Sequence, residues 1–442
     1  MKRYWTVFLW LAIVLMTTAI WAQEADEENI FSEDDIFSDG ESVVDLEDTI
    51  DETVTEQIES ESVTFSGEIS ANFGFDITRA YLDGDDDFED NPYSTSVDGD
   101  FLLDVRLREG IKSFANLGLR YTPQGNEFDK SDDHLDTVLK EFFVDVNIAR
   151  RVYLRGGKQN LKWGRGYFWN PTDLISEDRK DFIDMNARLE GVYGLKMHVP
   201  FGTKYNIYGF INTSGANKTN EFSYAGKLEV LLPKDVEMAL SAWGKDEYKP
   251  VFGLDFATYK FNMDWRGELG LSYGDNRHRL EIEETPSGEK RYTDKEVIDE
   301  WVPRVCLGFT RSFDFRNVND RISLTGEFYY NHGGYAQDML KDQEVRDEFL
   351  QGGYFEPGNY GKYYAAIFSS LSKFIVSDMS FKLNAIGNLS DSSFILSSGV
   401  NYELANNAWL RCDIRGHFGR KNREYTLDGT ALSTEVSVSV MF

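Results

Sequence analysis

Cysteine is nearly missing: the 442 residues hold two, Cys306 and Cys412. Two distant thiols build neither a disulfide framework nor a cysteine metal site. By alternation along their segments, Cys306 falls on a polar face and Cys412 on an apolar one. Histidine is also scarce. The five, at 134, 198, 278, 332 and 417, show no ligand spacing and do not recur beside Ser or Asp, so neither a bound cofactor or metal nor a catalytic triad is indicated. After Ala22 no apolar run approaches the 20 or so residues that a transmembrane helix needs. Positive charge is short as well: 46 Lys and Arg face 76 Asp and Glu, for a net −30. Such a surface excludes nucleic acid as a partner, because that affinity rests on cations meeting phosphates. Proline is limited to nine residues, whereas aromatics reach 14%, mostly Phe and Tyr. That balance suits many long strands with aromatic belts.

The first residues combine Lys2 and Arg3 with an apolar run from Val7 to Ile20 and a small residue at Ala22. This is the layout of a cleaved signal peptide over residues 1–22, and no Cys nearby suggests a lipoprotein. Residues 23–61 follow as an acidic leader. Between Glu24 and Glu61 stand seventeen Asp or Glu and no Lys or Arg, a composition expected to be disordered. It contains a small repeat, Ile30-Phe31-Ser32-Glu33-Asp34 and then Ile36-Phe37-Ser38-Asp39. Two readings stand: a solvated leader, or a periplasmic recognition peptide whose Phe residues dock while the acids steer.

From Ser62 the hydrophobic period becomes two. Leu103, Val105 and Leu107 alternate with Asp104, Arg106 and Arg108. Met263, Trp265, Leu269 and Leu271 oppose Asp264, Arg266 and Glu268, and Cys412, Ile414 and Phe418 oppose Arg411, Asp413, Arg415 and His417. Alternation of this quality argues for half-buried strands. Eighteen segments fit it, at about 62–78, 95–108, 111–121, 136–150, 151–159, 186–200, 203–212, 221–232, 235–243, 249–258, 261–274, 297–313, 319–331, 361–371, 376–387, 391–402, 406–417 and 432–442. Links after odd-numbered segments are mostly long (79–94, 122–135, 160–185, 275–296, 332–360, 418–431). Those after even-numbered ones are short, as at Arg150-Arg151, Phe201-Gly202, Pro233-Lys234 and Ala405. Outer-membrane barrels have this rhythm of short periplasmic turns and long outer loops. The expectation is an all-β fold: an antiparallel transmembrane barrel of about 18 strands (16 as the alternative) over residues 62–442. A soluble sandwich explains the alternation but not the phase of the links.

The final segment places Val436, Val438, Val440 and Phe442 in one apolar row. Here the chain resembles the outer-membrane porin superfamily, whose last strand ends in Phe. The resemblance implies that Phe442 is a signal read by the barrel-assembly machinery. Eighteen strands with charged inward rows are also similar to the alginate-export type of porin, in architecture only. In porins the third outer loop commonly folds inward. By that resemblance the stretch from Gly156 to Asp173, rich in Gly, Trp and cations, forms a constriction, with Lys158, Lys162, Arg165 and Arg179 offered to a passing anion. Aromatics beside cations also suit sugar rings. The plainer alternative is an aromatic girdle and a loop packed on the rim.

If the apolar rows meet outer-membrane lipid, the other rows line a lumen, because Arg or Lys toward lipid costs about 2–4 kcal/mol each at mid-bilayer. The candidate lining cations are Arg106, Arg108, Arg120, Lys158, Lys162, Arg165, Arg188, Lys196, Arg266, Arg304, Arg411 and Arg415. Mixed with Asp104, Glu141, Asp145, Glu190, Asp264, Glu268, Glu327 and Asp413, they favour a wet passage for hydrophilic solutes. Alternatively they pair across strands and satisfy one another in a plugged barrel. Acidic clusters in the outer loops (Asp83, Asp85, Asp86, Asp87, Glu89, Asp90; Asp129, Asp132, Asp133) lack a full calcium-loop spacing and read as solvated rather than metal-binding. The expected function is passive or weakly selective diffusion without catalysis. The competing class is an adhesion or structural surface protein with a closed lumen.

Overall fold

The computed structural model describes residues 62–442 except 89–90, 108–109, 124–133, 150, 174, 176–189, 285–289, 316–319 and 337. The expected signal peptide and leader, and Arg108, Arg179, Arg188 and the acids at 89–90 and 129–133, lie outside the described residues.

Twenty strands follow in order: β1 (Ser62–Thr78), β2 (Tyr93–Arg106), β3 (Lys112–Tyr121), β4 (Leu135–Ile148), β5 (Val152–Gln159), β6 (Val192–Phe201), β7 (Tyr205–Asn212), β8 (Ser223–Leu232), β9 (Val236–Lys245), β10 (Val251–Tyr259), β11 (Asp264–Tyr273), β12 (Arg279–Glu284), β13 (Lys290–Lys295), β14 (Trp301–Phe315), β15 (Asp320–Asn331), β16 (Tyr363–Leu371), β17 (Met379–Asn388), β18 (Ser393–Ala405), β19 (Ala408–Phe418) and β20 (Thr430–Met441). Two short helices, α1 (Arg79–Asp83) and α2 (Gln343–Gln351), lie in long loops. Eighteen strands form one antiparallel sheet in which each pairs with its neighbour in sequence. β11 pairs with β14 across an inserted β12–β13 hairpin. The sheet closes where β1 pairs with β20, from Glu68 opposite Met441 to Thr78 opposite Thr430. The result is an eighteen-stranded barrel, so the sixteen-strand and sandwich alternatives fall. Each expected segment coincides with one barrel strand. The β12–β13 hairpin was expected as loop.

The barrel is apolar outside and polar inside. Leu240 is 59% exposed, Phe252 51% and Val438 42%, and all three point away from the barrel axis. Their neighbours in sequence or register, Ala239, Ser241, Asp255 and Ser439, are buried inside. A water-soluble sheet protein shows the reverse distribution. Only a hydrocarbon solvent makes this arrangement favourable, since closing the barrel satisfies every ladder hydrogen bond within the sheet.

The first and last barrel strands lock at the short-turn rim. Gly67 N–H donates to Phe442 O, and Phe442 N–H to Gly67 O, each at 3.0 Å. The Phe442 ring rests on Phe65 and Phe101, with centroids at 5.7 and 6.3 Å. A Cβ on residue 67 would stand 2.5 Å from Asp100 O and 2.8 Å from Phe442 Cζ, so the Phe442 seat requires glycine. Gly67→Val is expected to cut the yield of folded, heat-modifiable barrel at least about twofold, in line with aromatic contacts worth roughly 0.5–1.5 kcal/mol each. Gel mobility of unheated against heated protein reads the outcome; an unchanged folded fraction contradicts this role for the seat.

Candidate functional site: the lumen and its inward loop

The first described part of the link between β5 and β6, residues 160–173, runs inside the barrel. Its first part lays Leu161 and Trp163 against Val192 and Phe210 of β6 and β7, with Ile175 in the same cluster. Lys227 of β8 then donates to Trp163 O at 2.8 Å. Arg165 meets three carboxylates from three adjacent strands: Asp255 at 2.6 Å, Glu229 at 3.7 Å, and Glu237. Farther across, Glu268 of β11 accepts from Gly166 N–H (2.5 Å), Thr172 N–H (3.0 Å) and the Thr172 hydroxyl (2.8 Å). Glu327 of β15 accepts from the consecutive N–H groups of Tyr167, Phe168 (2.8 Å) and Trp169 (3.2 Å). Trp169 ends the crossing, stacked 5.6 Å from Tyr329, with its indole N–H donating to Gly358 O at 2.9 Å.

Backbone N–H groups in a non-repetitive loop have no ladder to satisfy them, and buried ones must find other acceptors. Two wall carboxylates supply these acceptors here, which explains why charged side chains point inward at those strand positions. A side chain at Gly166 is not tolerated, because its Cβ would lie 2.0 Å from Trp169 O.

The expected pore-lining cations separate into three groups. On the wall of β1–β3, β19 and β20 they pair across or along strands. Arg106 and Lys112 meet Asp104 at 3.4 and 3.5 Å, Arg120 meets Asp98 at 2.7 Å, Arg411 meets Glu68 at 3.5 Å, and Arg415 meets Glu435 at 2.8 Å. Several of these pairs keep contact with water; the Arg120 and Arg106 side chains are 64% and 53% exposed. Such pairs contribute about 0–1 kcal/mol each, so they line the wall without cementing it. Lys196 projects inward beside Arg155 in the register.

A second group anchors structure. Arg165 is enclosed as described. Arg304 holds Asp275 at 2.8 Å beside Arg277, at the long-loop rim. The Lys158 amine lies on Glu190 and 5.3 Å from the Tyr193 ring. In register Lys158 stands between Phe142 and Tyr193, both exposed on the outer surface. It is therefore placed apart from Lys162 and Arg165.

The third group faces the interior beside the loop. Lys162 is solvent-exposed, and among the described residues no hydrogen bond or ion pair holds its amine. Its charged neighbours are Arg266, Glu268, Glu327 and Asp173. Arg266 bonds Thr310 and lies 6.0 Å from the Tyr167 ring. The inward acids Glu229, Glu237 and Asp255 and the cation Lys227 complete the site, and the sequence reading did not single them out. Alternation places them inward on β8–β10, but their partner Arg165 stands 64 to 90 residues away, so pattern alone gave no signal. Cys306 is buried in the interior cluster with Trp169 and Tyr329, and Cys412 pairs with Val400 and Val436; both are free thiols.

Long loops pack over part of the other rim. Leu280 of the β12–β13 hairpin joins Leu340, Phe349 of α2 and Tyr360 in a small core. Beneath it Glu424, in the β19–β20 loop, accepts from Gly358 N–H (2.5 Å), the Tyr364 hydroxyl (2.9 Å) and Asn388 Nδ2 (2.6 Å). Burial pushes this carboxyl up to about 8, against the Gly358 hydrogen bond and with the help of neighbouring Asp391. Docking of the loop therefore takes up a proton. Its stabilisation is complete below the ordinary carboxylate range and is lost as pH rises through about 8. Protection factors for hydrogen exchange of residues 419–429, taken relative to the base-catalysed intrinsic rate at each pH, are expected to be lower at pH 9 than at pH 6, and Glu424→Gln should flatten that dependence. Equal protection factors at both pH values would refute the linkage.

The structure is a closed eighteen-stranded antiparallel barrel with a polar interior and an inward loop after β5. No family model matches the chain, and no curated protein matches its sequence. Solved structures do match in fold. OccK8 (OprE) of Pseudomonas aeruginosa superposes with a TM-score of 0.53 at 10% identity, covering 86% of this chain and 98% of that one. OccK2 (OpdF) of the same organism, solved in complex with glucuronate, gives 0.52 at 9% identity, covering 86% and 98%. OccAB1 of Acinetobacter baumannii gives 0.52 at 10%, covering 86% and 96%. The chain shares the barrel fold of these outer-membrane proteins.

Proposed function

We propose that the protein is a weakly selective channel for small hydrophilic solutes in a bacterial outer membrane, with long loops outside and short turns in the periplasm. One observation carries this reading. The wall of β1–β3, β19 and β20 presents charged side chains to water, while the inward loop is tied to β4 at its two ends and binds the strands from β6 to β16. That division leaves room for a passage along the charged wall, narrowed by the loop and edged by Lys162, Arg266 and Tyr167. A cation pair beside an aromatic face suits sugar acids and other polar anions, and one neighbour in fold was solved with glucuronate. Phe442, seated at the barrel seam, is the element offered to the assembly machinery, and residues 1–22 direct export.

Purified protein in a planar bilayer is expected to give discrete current steps that scale with salt. A second reading has its own support: the small core formed by the β12–β13 hairpin and α2 builds a rigid outward platform, as a surface or adhesion protein needs. Absence of current steps from folded, inserted barrel would favour that reading over the channel.

A further inference from the structure

We propose that the acidic segment 24–61 docks on the periplasmic rim of its own barrel, seating its two Ile-Phe repeats on the apolar tips of the β10–β11 and β16–β17 turns. Those two turns differ from the others described on that rim. The β16–β17 turn, residues 372–378, carries Phe374, Ile375 and Val376 in succession. Ile375 is 74% exposed, and Phe374 stacks on Phe381 at 5.1 Å. The β10–β11 turn raises Phe261, 78% exposed, on a left-handed backbone with φ of 60°. For a bulky side chain that conformation costs about 1–2 kcal/mol relative to glycine or asparagine.

Each tip has a cation beside it. The Lys260 amine lies 5.4 Å from the Phe261 ring, and Lys373 precedes Phe374. Arg151, Lys204 and Lys234 are exposed in three further turns, against Asp235 and Asp378 among the described residues of these turns. In a chain of net charge −30, cations outnumber acids five to two among the described residues of these turns.

The segment 24–61 has the complementary pattern. Each repeat places an Ile-Phe pair just before a cluster of acids, and no cation interrupts the seventeen carboxylates. It joins the barrel at Ser62, on this same rim, where β1 begins opposite Arg106. Eighteen strands about 4.8 Å apart, tilted about 40°, close a barrel roughly 35 Å across. The 25 residues from Phe37 to Ser62 span about 25–30 Å as a flexible chain and up to about 80 Å extended. Both turns are within reach. Tethering raises the effective concentration to about the millimolar range, so even weak apolar and ionic contacts suffice. The inference stands whether or not the lumen conducts.

The test uses the full-length protein with Phe37→p-benzoylphenylalanine, folded into vesicles of neutral phosphatidylcholine at low salt and irradiated. Cross-links are expected on peptides containing residues 258–263 or 372–378. Their yield should fall about fivefold in about 0.5 M salt, where screening shortens the reach of charge to a few Å, and similarly in Lys260→Glu/Lys373→Glu. Heat-modifiable gel mobility verifies that this variant is folded. Adducts confined to lipid, adducts on lumen-facing strands, or an undiminished yield in the variant would overturn the proposal.

Discussion

Replacing Glu268 and Glu327 together by alanine is expected to raise single-channel conductance roughly twofold or more and to broaden the open-state current. The two carboxylates accept from Gly166, Tyr167, Phe168, Trp169 and Thr172. An unsatisfied buried polar group costs about 1–3 kcal/mol. Stranding five backbone donors therefore exceeds what the apolar contacts of Trp169 can hold, and the loop should leave its seat. The barrel itself remains closed, because its ladders do not involve these side chains. Conductance equal to wild type in folded protein would mean that the loop does not narrow the passage.

The second large effect concerns selectivity. Lys162→Glu is expected to shift the anion-to-cation permeability ratio about fivefold toward cations at low salt. A two-unit change of charge about 7 Å from a passing ion is worth about 1 kcal/mol even in a water-like dielectric. The shift should shrink at high salt as screening sets in. Lys158→Glu is the control, since its amine lies on Glu190 and its backbone on the outward register of β5. Arg165→Glu should instead act like loop release, because it would place a fourth acid among Asp255, Glu229 and Glu237. Reversal potentials under a salt gradient read all three variants. An equal shift from Lys158→Glu would contradict the division of roles.

The barrel was legible in the sequence because lipid and water impose opposite demands on successive residues. Leu103 against Asp104, or Trp265 against Arg266, can satisfy both only in a strand with one face in each solvent. The phase of long and short links then supported the strand count, which the closed barrel matches. The β12–β13 hairpin was not distinguished from loop: it lies within one long link, and its Leu280 is buried by other long loops rather than by a sheet face. The functional interior was less legible for a physical reason. Alternation says which way Glu268, Glu327 or Arg165 points, not which group it meets. Glu327 serves backbone N–H groups about 160 residues away in sequence. Lys158, Lys162 and Arg165 look alike as a cluster in one dimension. In three dimensions the Lys158 amine is buried against Glu190 and the Tyr193 ring, the Lys162 amine is exposed in the interior, and the Arg165 guanidinium sits in a cage of acids.

Thiol reactivity along two neighbouring positions tests the inside-out solvent arrangement most directly. In a Cys306→Ser/Cys412→Ser background, Asp104→Cys and Arg411→Cys should react with a membrane-impermeant maleimide in vesicles. Leu103→Cys and Val438→Cys, on the lipid side, should react at least about tenfold more slowly. Equal reactivity of Leu103→Cys and Asp104→Cys in folded, inserted protein would show that both faces of β2 meet water, and the barrel could not then be the wall of a channel.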